Sequence, residues 1–146
     1  MDTAARTKRV RKPTARQAKW QGSKWITKVR RLAIYVRDGL ACVYCGASVE
    51  DGAQLSLDHL KCDVKGGGNE STNLVTCCSR CNSSRGARSV AAFCRAVAAY
   101  LNHGADPKRI EAHVRACAKR TVPTQEAKDL LARRGSIAAV CSKKGI

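Results

Sequence analysis

The chain has 146 residues, enough for one modest domain with appendages and too few for two ordinary domains. Its 28 Lys and Arg residues outnumber 11 Asp and Glu residues, which gives a formal net charge of +17. Such a charge favours polyanionic partners, and nucleic acid is the first candidate. No stretch approaches the roughly 18 apolar residues of a membrane span, and no apolar leader follows the basic first residues. We therefore expect a cytoplasmic protein that does not enter a membrane.

The first part of the chain carries a large share of the charge. Residues 1–31 hold 11 basic side chains and one acidic side chain, which accounts for +10 of the net +17. Residues 1–23 lack hydrophobic periodicity, so we predict a flexible basic arm that makes sequence-independent phosphate contacts. An acidic membrane surface, or nuclear import through the run KRVRK at 8–12, would use the same arm.

A short helix is predicted after this arm. Over residues 25–37 apolar positions alternate with Lys and Arg at helical spacing, and Gly39 can adopt the left-handed conformation that ends a helix. Trp25 is expected to pack this helix onto the segment that follows. That segment, residues 42–88, is rich in Cys, Gly and Asn, and its apolar runs at 53–57 and 74–76 predict two short strands.

The residues after Ser89 change to a helical pattern. Apolar residues recur at helical spacing over 90–101, and Asp106-Pro107 is a favourable cap and first position for a second helix. A third helix is predicted over about 124–134, closed by Gly135. Residues 89–146 therefore form a predicted helical extension.

Two C-x2-C pairs indicate a metal site. Cys42 with Cys45, and Cys78 with Cys81, supply the four thiolates of a closed tetrahedral zinc site, and a redox dithiol is the alternative. Residues 46–77 separate the pairs, a longer gap than in a simple zinc ribbon, so a functional segment is inserted between them. Cys77 or Cys62 could replace a ligand, whereas the cysteines of the extension are expected to be small buried residues: Cys94, Cys117 and Cys141.

The inserted segment holds the candidate catalytic residues. Asp58-His59 follows the strand-like LSL, so the two side chains should point to opposite faces of a strand. A neutral histidine can accept a proton near pH 7, and a carboxylate can bind a divalent ion. Asn82 directly follows the last zinc cysteine, and Arg85 would share its helix face.

These motifs resemble the HNH endonuclease family, especially its small zinc-containing phage and prokaryotic members. The resemblance rests on C-x-Y-C-G at 42–46, L-x-x-D-H at 55–59, the segment 67–75 ending in N-L-V, and C-x-x-C-N-x-x-R at 78–85. It implies a small α+β fold: a zinc-stabilised ββα-metal core over residues 24–88, with an N-terminal helix and the C-terminal helical extension.

The resemblance also implies roles for individual residues. His59 would be the general base that activates water, and Asn73 would brace the loop that holds it. Asp58 and Asn82 would bind one divalent ion, and the amide of Asn82, where many relatives have His, favours Mg²⁺ or Mn²⁺ over Zn²⁺. Three arginines are candidate DNA contacts: Arg37, Arg85 and Arg88.

The predicted function is a metal-dependent DNA endonuclease or nickase, encoded by a phage and acting in the bacterial or infected host cell. DNA is the expected partner, and a second copy of the chain or phage packaging proteins are further candidates. Two alternatives remain: a non-catalytic zinc-stabilised module that only binds nucleic acid, and an interaction protein that docks through its helical extension. The first alternative would need the four zinc cysteines and would have no use for His59.

Overall fold

A computed structural model describes residues 25–61, 68–101 and 104–142. The predicted basic arm, Cys62 and the first residues of the glycine run lie outside these ranges. The described elements in chain order are α1 Lys28–Arg37, β1 Leu55–His59, β2 Leu74–Cys78, α2 Ser79–Arg85, α3 Val90–Leu101, α4 Pro107–Lys119, α5 Thr124–Arg134 and α6 Ile137–Val140.

The predicted N-terminal helix is present but begins three residues later, at Lys28. Thr27 is its N-cap, and the Thr27 side chain accepts a hydrogen bond from the Arg30 backbone N–H at 3.2 Å. This bond satisfies one of the donors that the first turn leaves without a helical partner, which fixes the start of the helix. Gly39 has a φ of +83°, as predicted for the residue that closes the helix.

The two predicted strands form one antiparallel hairpin. The first strand begins two residues later than predicted and continues through His59, while β2 extends two residues further, to Cys78. In the register, Asp58 lies opposite Val75 and His59 lies opposite Leu74. The hairpin therefore carries the Asp-His pair at the end of its first strand.

The helix α2 follows β2 without a connecting loop. Cys78 ends the strand and is also the N-cap of the helix, and its Sγ atom accepts a hydrogen bond from the Cys81 N–H at 3.4 Å. The hairpin with this helix is a ββα unit, so the small α+β fold predicted from the sequence is confirmed.

The three helices predicted in the extension are confirmed as α3, α4 and α5. Asp106 caps α4 by accepting a hydrogen bond from the Lys108 N–H at 3.0 Å, and Pro107 occupies the first turn. The one-turn helix α6 was not predicted, because four residues are too few to show a helical period. None of the helices in the described ranges is long and apolar enough to cross a membrane.

Two apolar clusters lie on the two sides of the hairpin. The first joins the cysteine pairs to α3 and α4 and includes Phe93, Val97 and Val114, all fully buried. The second joins α1 to α5 and includes Leu32, Ile34, Leu57, Leu74 and Ala127. The extension thus shares a core with the segment that carries the cysteine pairs.

Candidate active site and zinc centre

The two cysteine pairs meet at one point. The Sγ atoms of Cys42, Cys45, Cys78 and Cys81 all lie within 4.8 Å of one another. Zn–S bonds of about 2.3 Å in a tetrahedron place the sulfurs about 3.8 Å apart. The Cys45 and Cys78 sulfurs are separated by 3.8 Å, which matches that geometry. The four side chains therefore fit the predicted structural zinc site.

The local backbone prepares these thiols to bind a cation. The Cys45 N–H points at the Cys42 sulfur at 3.5 Å, the same arrangement that Cys81 makes with Cys78 in the second pair. A hydrogen bond from Cys81 lowers the pKa of Cys42, and the same bond raises the pKa of Cys81. A thiolate is the form that binds metal, and Cys42 is the one ligand thiol whose pKa is lowered, whereas burial raises the pKa of Cys45.

Cys77 does not belong to the zinc site. It is fully buried, and its Sγ lies 4.0 Å from the Ser56 hydroxyl across the hairpin. Burial raises its pKa well above that of a free thiol, so Cys77 stays neutral. Alternation along β2 explains the difference, because neighbouring residues of a strand point to opposite faces. Cys94 and Cys117 are fully buried, as predicted for small apolar residues.

Asp58 is a buried carboxylate with two donors on one oxygen. Its Oδ2 atom accepts a hydrogen bond from the Tyr44 hydroxyl at 2.6 Å and forms an ion pair with Arg85 at 2.5 Å. Burial, and then the charge of Asp58, raise the pKa of Tyr44, so the hydroxyl keeps its proton and donates. Tyr44 lies between the two cysteines of the first pair, so the zinc site and Asp58 are directly linked.

Arg85 ties the helix α2 to the end of β1. Besides Asp58, its guanidinium donates to the carbonyl oxygens of His59, Leu60 and Arg88 at 2.9, 2.9 and 3.0 Å. The residue is 7% exposed. Its described hydrogen bonds all go to protein groups, so these contacts give Arg85 a structural role, although it also lines the cleft described below.

Arg37 is buried for a similar reason. Its guanidinium pairs with Asp38 at 2.7 Å and donates to the carbonyl oxygens of Leu74 at 2.7 Å and Ser71 at 3.0 Å. Asp38 also accepts a hydrogen bond from the Thr76 N–H at 2.9 Å. The Arg37-Asp38 pair therefore connects α1 to β2, and the described donors of Arg37 are directed at protein groups and not outward, as a contact with DNA would need. Arg88, in contrast, is exposed.

His59 points to the opposite side of β1 from Asp58. Its Nε2 atom lies 2.8 Å from the Asn69 side-chain oxygen, and its ring lies 5.1 Å from the Trp25 ring, centroid to centroid. In the tautomer in which Nε2 donates to this oxygen, a neutral imidazole carries its lone pair on Nδ1. Arg30 donates to the Asn69 carbonyl at 2.8 Å, which connects this arrangement to α1.

Asn73 braces the backbone beyond His59. Its side-chain oxygen accepts from the Lys61 N–H at 2.9 Å, while its amide nitrogen donates to the carbonyl oxygens of Lys61 at 2.9 Å and Gly68 at 2.8 Å. The residue is 8% exposed. These contacts close the ends of the segment between the strands, and they hold the chain as it leaves His59.

One cleft of about 560 Å³ brings the candidate catalytic residues together. Asp58, His59 and Asn82 all line it, and the Asn82 amide nitrogen donates to the Ser56 hydroxyl at 2.9 Å. That bond leaves the carbonyl oxygen as the metal-binding atom of Asn82. A carboxylate and an amide oxygen are ligands that Mg²⁺ and Mn²⁺ accept.

The cysteine pairs and the Asp58-His59 pair lie in a stretch that matches a known family model. Residues 42–98 match the model of a family described as HNH endonuclease. We call residues 42–98 the HNH segment, after the family whose model they match. The resemblance predicted from the motifs is thereby confirmed, and the matched range includes the four zinc cysteines and the Asp58-His59 pair.

Among solved structures, the chain is similar to the crystal structure of the Type II-C Cas9 enzyme from Actinomyces naeslundii, at 23% identity with a TM-score of 0.40. The similarity covers 79% of this chain and 14% of that chain, so this chain spans a small part of that enzyme's length. The comparison with curated proteins gave no match.

Three residues that contact Asp58 or His59 were not identified as functional from the sequence: Tyr44, Asn69 and Trp25. Tyr44 lies inside the quoted C-x-Y-C motif, so its position was visible although its contact with Asp58 was not. Asn69 lies within the polar run before Asn73, which offered no distinguishing signal. Trp25 was expected to be a packing residue, and its ring also contacts His59. Trp25 lies outside the matched range.

Proposed function

We propose that this protein is a metal-dependent DNA endonuclease that hydrolyses phosphodiester bonds with His59 as the general base. The observation that carries the proposal is the single cleft lined by Asp58, His59 and Asn82 within the HNH segment. The net charge of +17 supports a polyanionic substrate such as DNA.

The proposed chemistry needs a proton acceptor beside a polar, positively charged cleft. The lone pair of His59 takes a proton from water, and the resulting oxygen nucleophile attacks phosphorus as the P–O bond to the leaving sugar oxygen breaks. Asn69 and Trp25 orient the imidazole for this transfer, at 2.8 Å and 5.1 Å respectively. Asn73 supports the same orientation from the backbone side.

Asp58 and Asn82 would hold the divalent ion, Mg²⁺ or Mn²⁺. Such an ion, when bound, stabilises the negative charge that develops on the phosphoryl and leaving oxygens. Arg85 already compensates the charge of Asp58, because the two side chains form an ion pair that is about nine-tenths buried on each side. We therefore expect weak occupancy by the ion until a DNA phosphate adds negative charge to the cleft.

Supercoiled plasmid in Mg²⁺ or Mn²⁺ provides the test. One site cuts one strand, so nicked circles should form first. His59→Ala should reduce nicking by about 100-fold or more, in line with the loss of a general base. His113→Ala is the matched control, because His113 is an exposed histidine of α4 that does not line the cleft.

Zinc content and DNA binding should be the same in both variants and in the unaltered protein. Nicking that survives His59→Ala undiminished would show that His59 is not the base. Absence of nicking by the unaltered protein in either ion, with DNA binding intact, would favour the non-catalytic zinc module.

A further inference from the structure

The cleft is also lined by a residue that the HNH segment does not supply. Arg115, on α4 of the helical extension, lines the same cleft as Asp58, His59 and Asn82. The family match ends at residue 98, so Arg115 belongs to the additional part of the chain. The extension therefore contributes Arg115 to the lining of the cleft.

The position of α4 is fixed by packing and by a hydrogen bond. Val114, Cys117 and Ala118 on its inner face are buried, and Val114 and Cys117 belong to the cluster shared with the cysteine pairs. Arg37 donates to the Ala118 carbonyl oxygen at 3.5 Å. A helix held in this way presents Arg115 at a defined place beside the cleft, unlike a charge on a mobile loop.

Arg115 forms an ion pair with Glu111, one turn earlier on α4, and 3.0 Å separate Arg115 Nε from Glu111 Oε2. Among the described residues, Glu111 is the one ion-pair partner of Arg115. The Arg115 side chain is 50% exposed and that of Glu111 is 29% exposed. Pairs of this kind are screened by water and contribute little, so DNA, with its closely spaced phosphate charges, can displace the carboxylate. A phosphate accepts bidentate hydrogen bonds from a guanidinium, which makes it a suitable replacement.

The other charges of the cleft agree with an anionic occupant. Lys61 and Arg88 line it and are exposed, while the carboxylate of Asp58 is compensated by Arg85. We propose that Arg115 binds a backbone phosphate of the DNA next to the phosphate that is cut, with Glu111 holding the guanidinium in place until DNA arrives. This rests on the proposed function, since it takes DNA to be the occupant of the cleft.

Binding of a short fluorescent DNA duplex by the zinc-loaded full chain tests the proposal. The measurement uses a His59→Ala background, so that cleavage does not interfere, and a series of KCl concentrations. Arg115→Ala should weaken binding by about 3- to 10-fold and reduce the slope of log K against log salt by about one, as for one lost phosphate contact. Arg115→Lys should keep most of the salt slope.

Two variants on the same helix sharpen the test. Arg109→Ala removes the same charge from α4 at a position that lines a different cavity, so binding and slope should remain unchanged. Glu111→Gln should tighten binding by about 2- to 5-fold, because it frees Arg115 and removes a negative charge near the phosphate. The tightening should disappear when Arg115 is also replaced by alanine.

The outcomes separate this proposal from the proposed function. Equal slopes for Arg115→Ala and Arg109→Ala, with both variants folded by circular dichroism, would overturn the role of Arg115 even if the unaltered protein nicks plasmid. A reduced salt slope for Arg115→Ala, in a protein whose unaltered form does not nick plasmid, would support the phosphate contact and contradict the proposed nuclease function. Loss of folding in Arg115→Ala would also overturn the proposal, because an exposed phosphate contact does not support the core.

Discussion

Replacing Arg85 by alanine distinguishes two roles of this residue: the DNA phosphate contact expected from the sequence, and the buried ion pair with Asp58 seen in the structure. A phosphate contact at a solvated helix surface would change stability by no more than about 0.5 kcal/mol, but it would lower the salt slope of DNA binding. The structure shows a pair with Asp58 whose side chains are 9% and 11% exposed. Removing one partner of a buried pair costs about 3–5 kcal/mol, because the remaining charge is left uncompensated.

The loss should fall near the upper part of that range, since the carbonyl oxygens of His59 and Leu60 lose their donors as well. Urea unfolding followed by circular dichroism gives the free energy, with Arg95→Ala as the control for an exposed arginine. Arg85→Lys should lose less, because it keeps a charge opposite Asp58. An Arg85→Ala protein as stable as the control, with a reduced salt slope, would refute the reasoning.

Two further predictions concern the cysteine pairs and Tyr44. Cys78→Ser should lose bound zinc and unfold at a lower temperature than the unaltered protein. Cys77→Ser is the control, because Cys77 lies outside the cluster and its replacement should leave the zinc content unchanged. Equal zinc content in the two variants would contradict the assignment. Burial, and then the charge of Asp58, raise the pKa of Tyr44 in the folded protein. Above about pH 10 the Tyr44 hydroxyl therefore ionises in the unfolded chain while it stays protonated in the folded protein, so the free energy of unfolding falls as pH rises. Tyr44→Phe should be less stable than the unaltered protein near neutral pH by about 1.5–3 kcal/mol, because it loses the hydrogen bond to Asp58. Its free energy of unfolding, measured in urea, should fall less steeply above about pH 10. Parallel pH profiles for the two proteins would contradict this prediction.

Local sequence signals predicted much of the fold because they act over short distances. Helices α3, α4 and α5 have apolar residues at helical spacing, and Asp106 and Gly135 mark a start and an end with their ordinary cap chemistry. The paired cysteines likewise predicted a cluster that the fold brings within 4.8 Å. Where the signal was a short apolar run, as in the strands, the bounds shifted by two residues.

The partners of the charged residues were not predictable in the same way. Arginine in a basic chain is expected at the surface, and the sequence alone does not show that Arg37 and Arg85 each meet a carboxylate inside the protein. Arg115 illustrates the reverse case, because its place in the cleft depends on how α4 packs against distant elements. Such contacts join residues far apart in the chain, so neither periodicity nor spacing encodes them.

The helix α2 connects the predicted zinc site with the site of the proposed catalytic ion. Cys78 caps the helix and Cys81 lies in its first turn, while Asn82 and Arg85 follow on the face toward β1. Arg85 in turn holds Asp58 and the backbone of His59. Loss of zinc from the cysteines would therefore loosen two residues of α2 at the same time. They are Asn82, a proposed ligand of the catalytic ion, and Arg85, which holds the backbone of His59, the proposed base. On this argument zinc performs no chemistry, but its loss should abolish catalysis before the helices of the extension unfold.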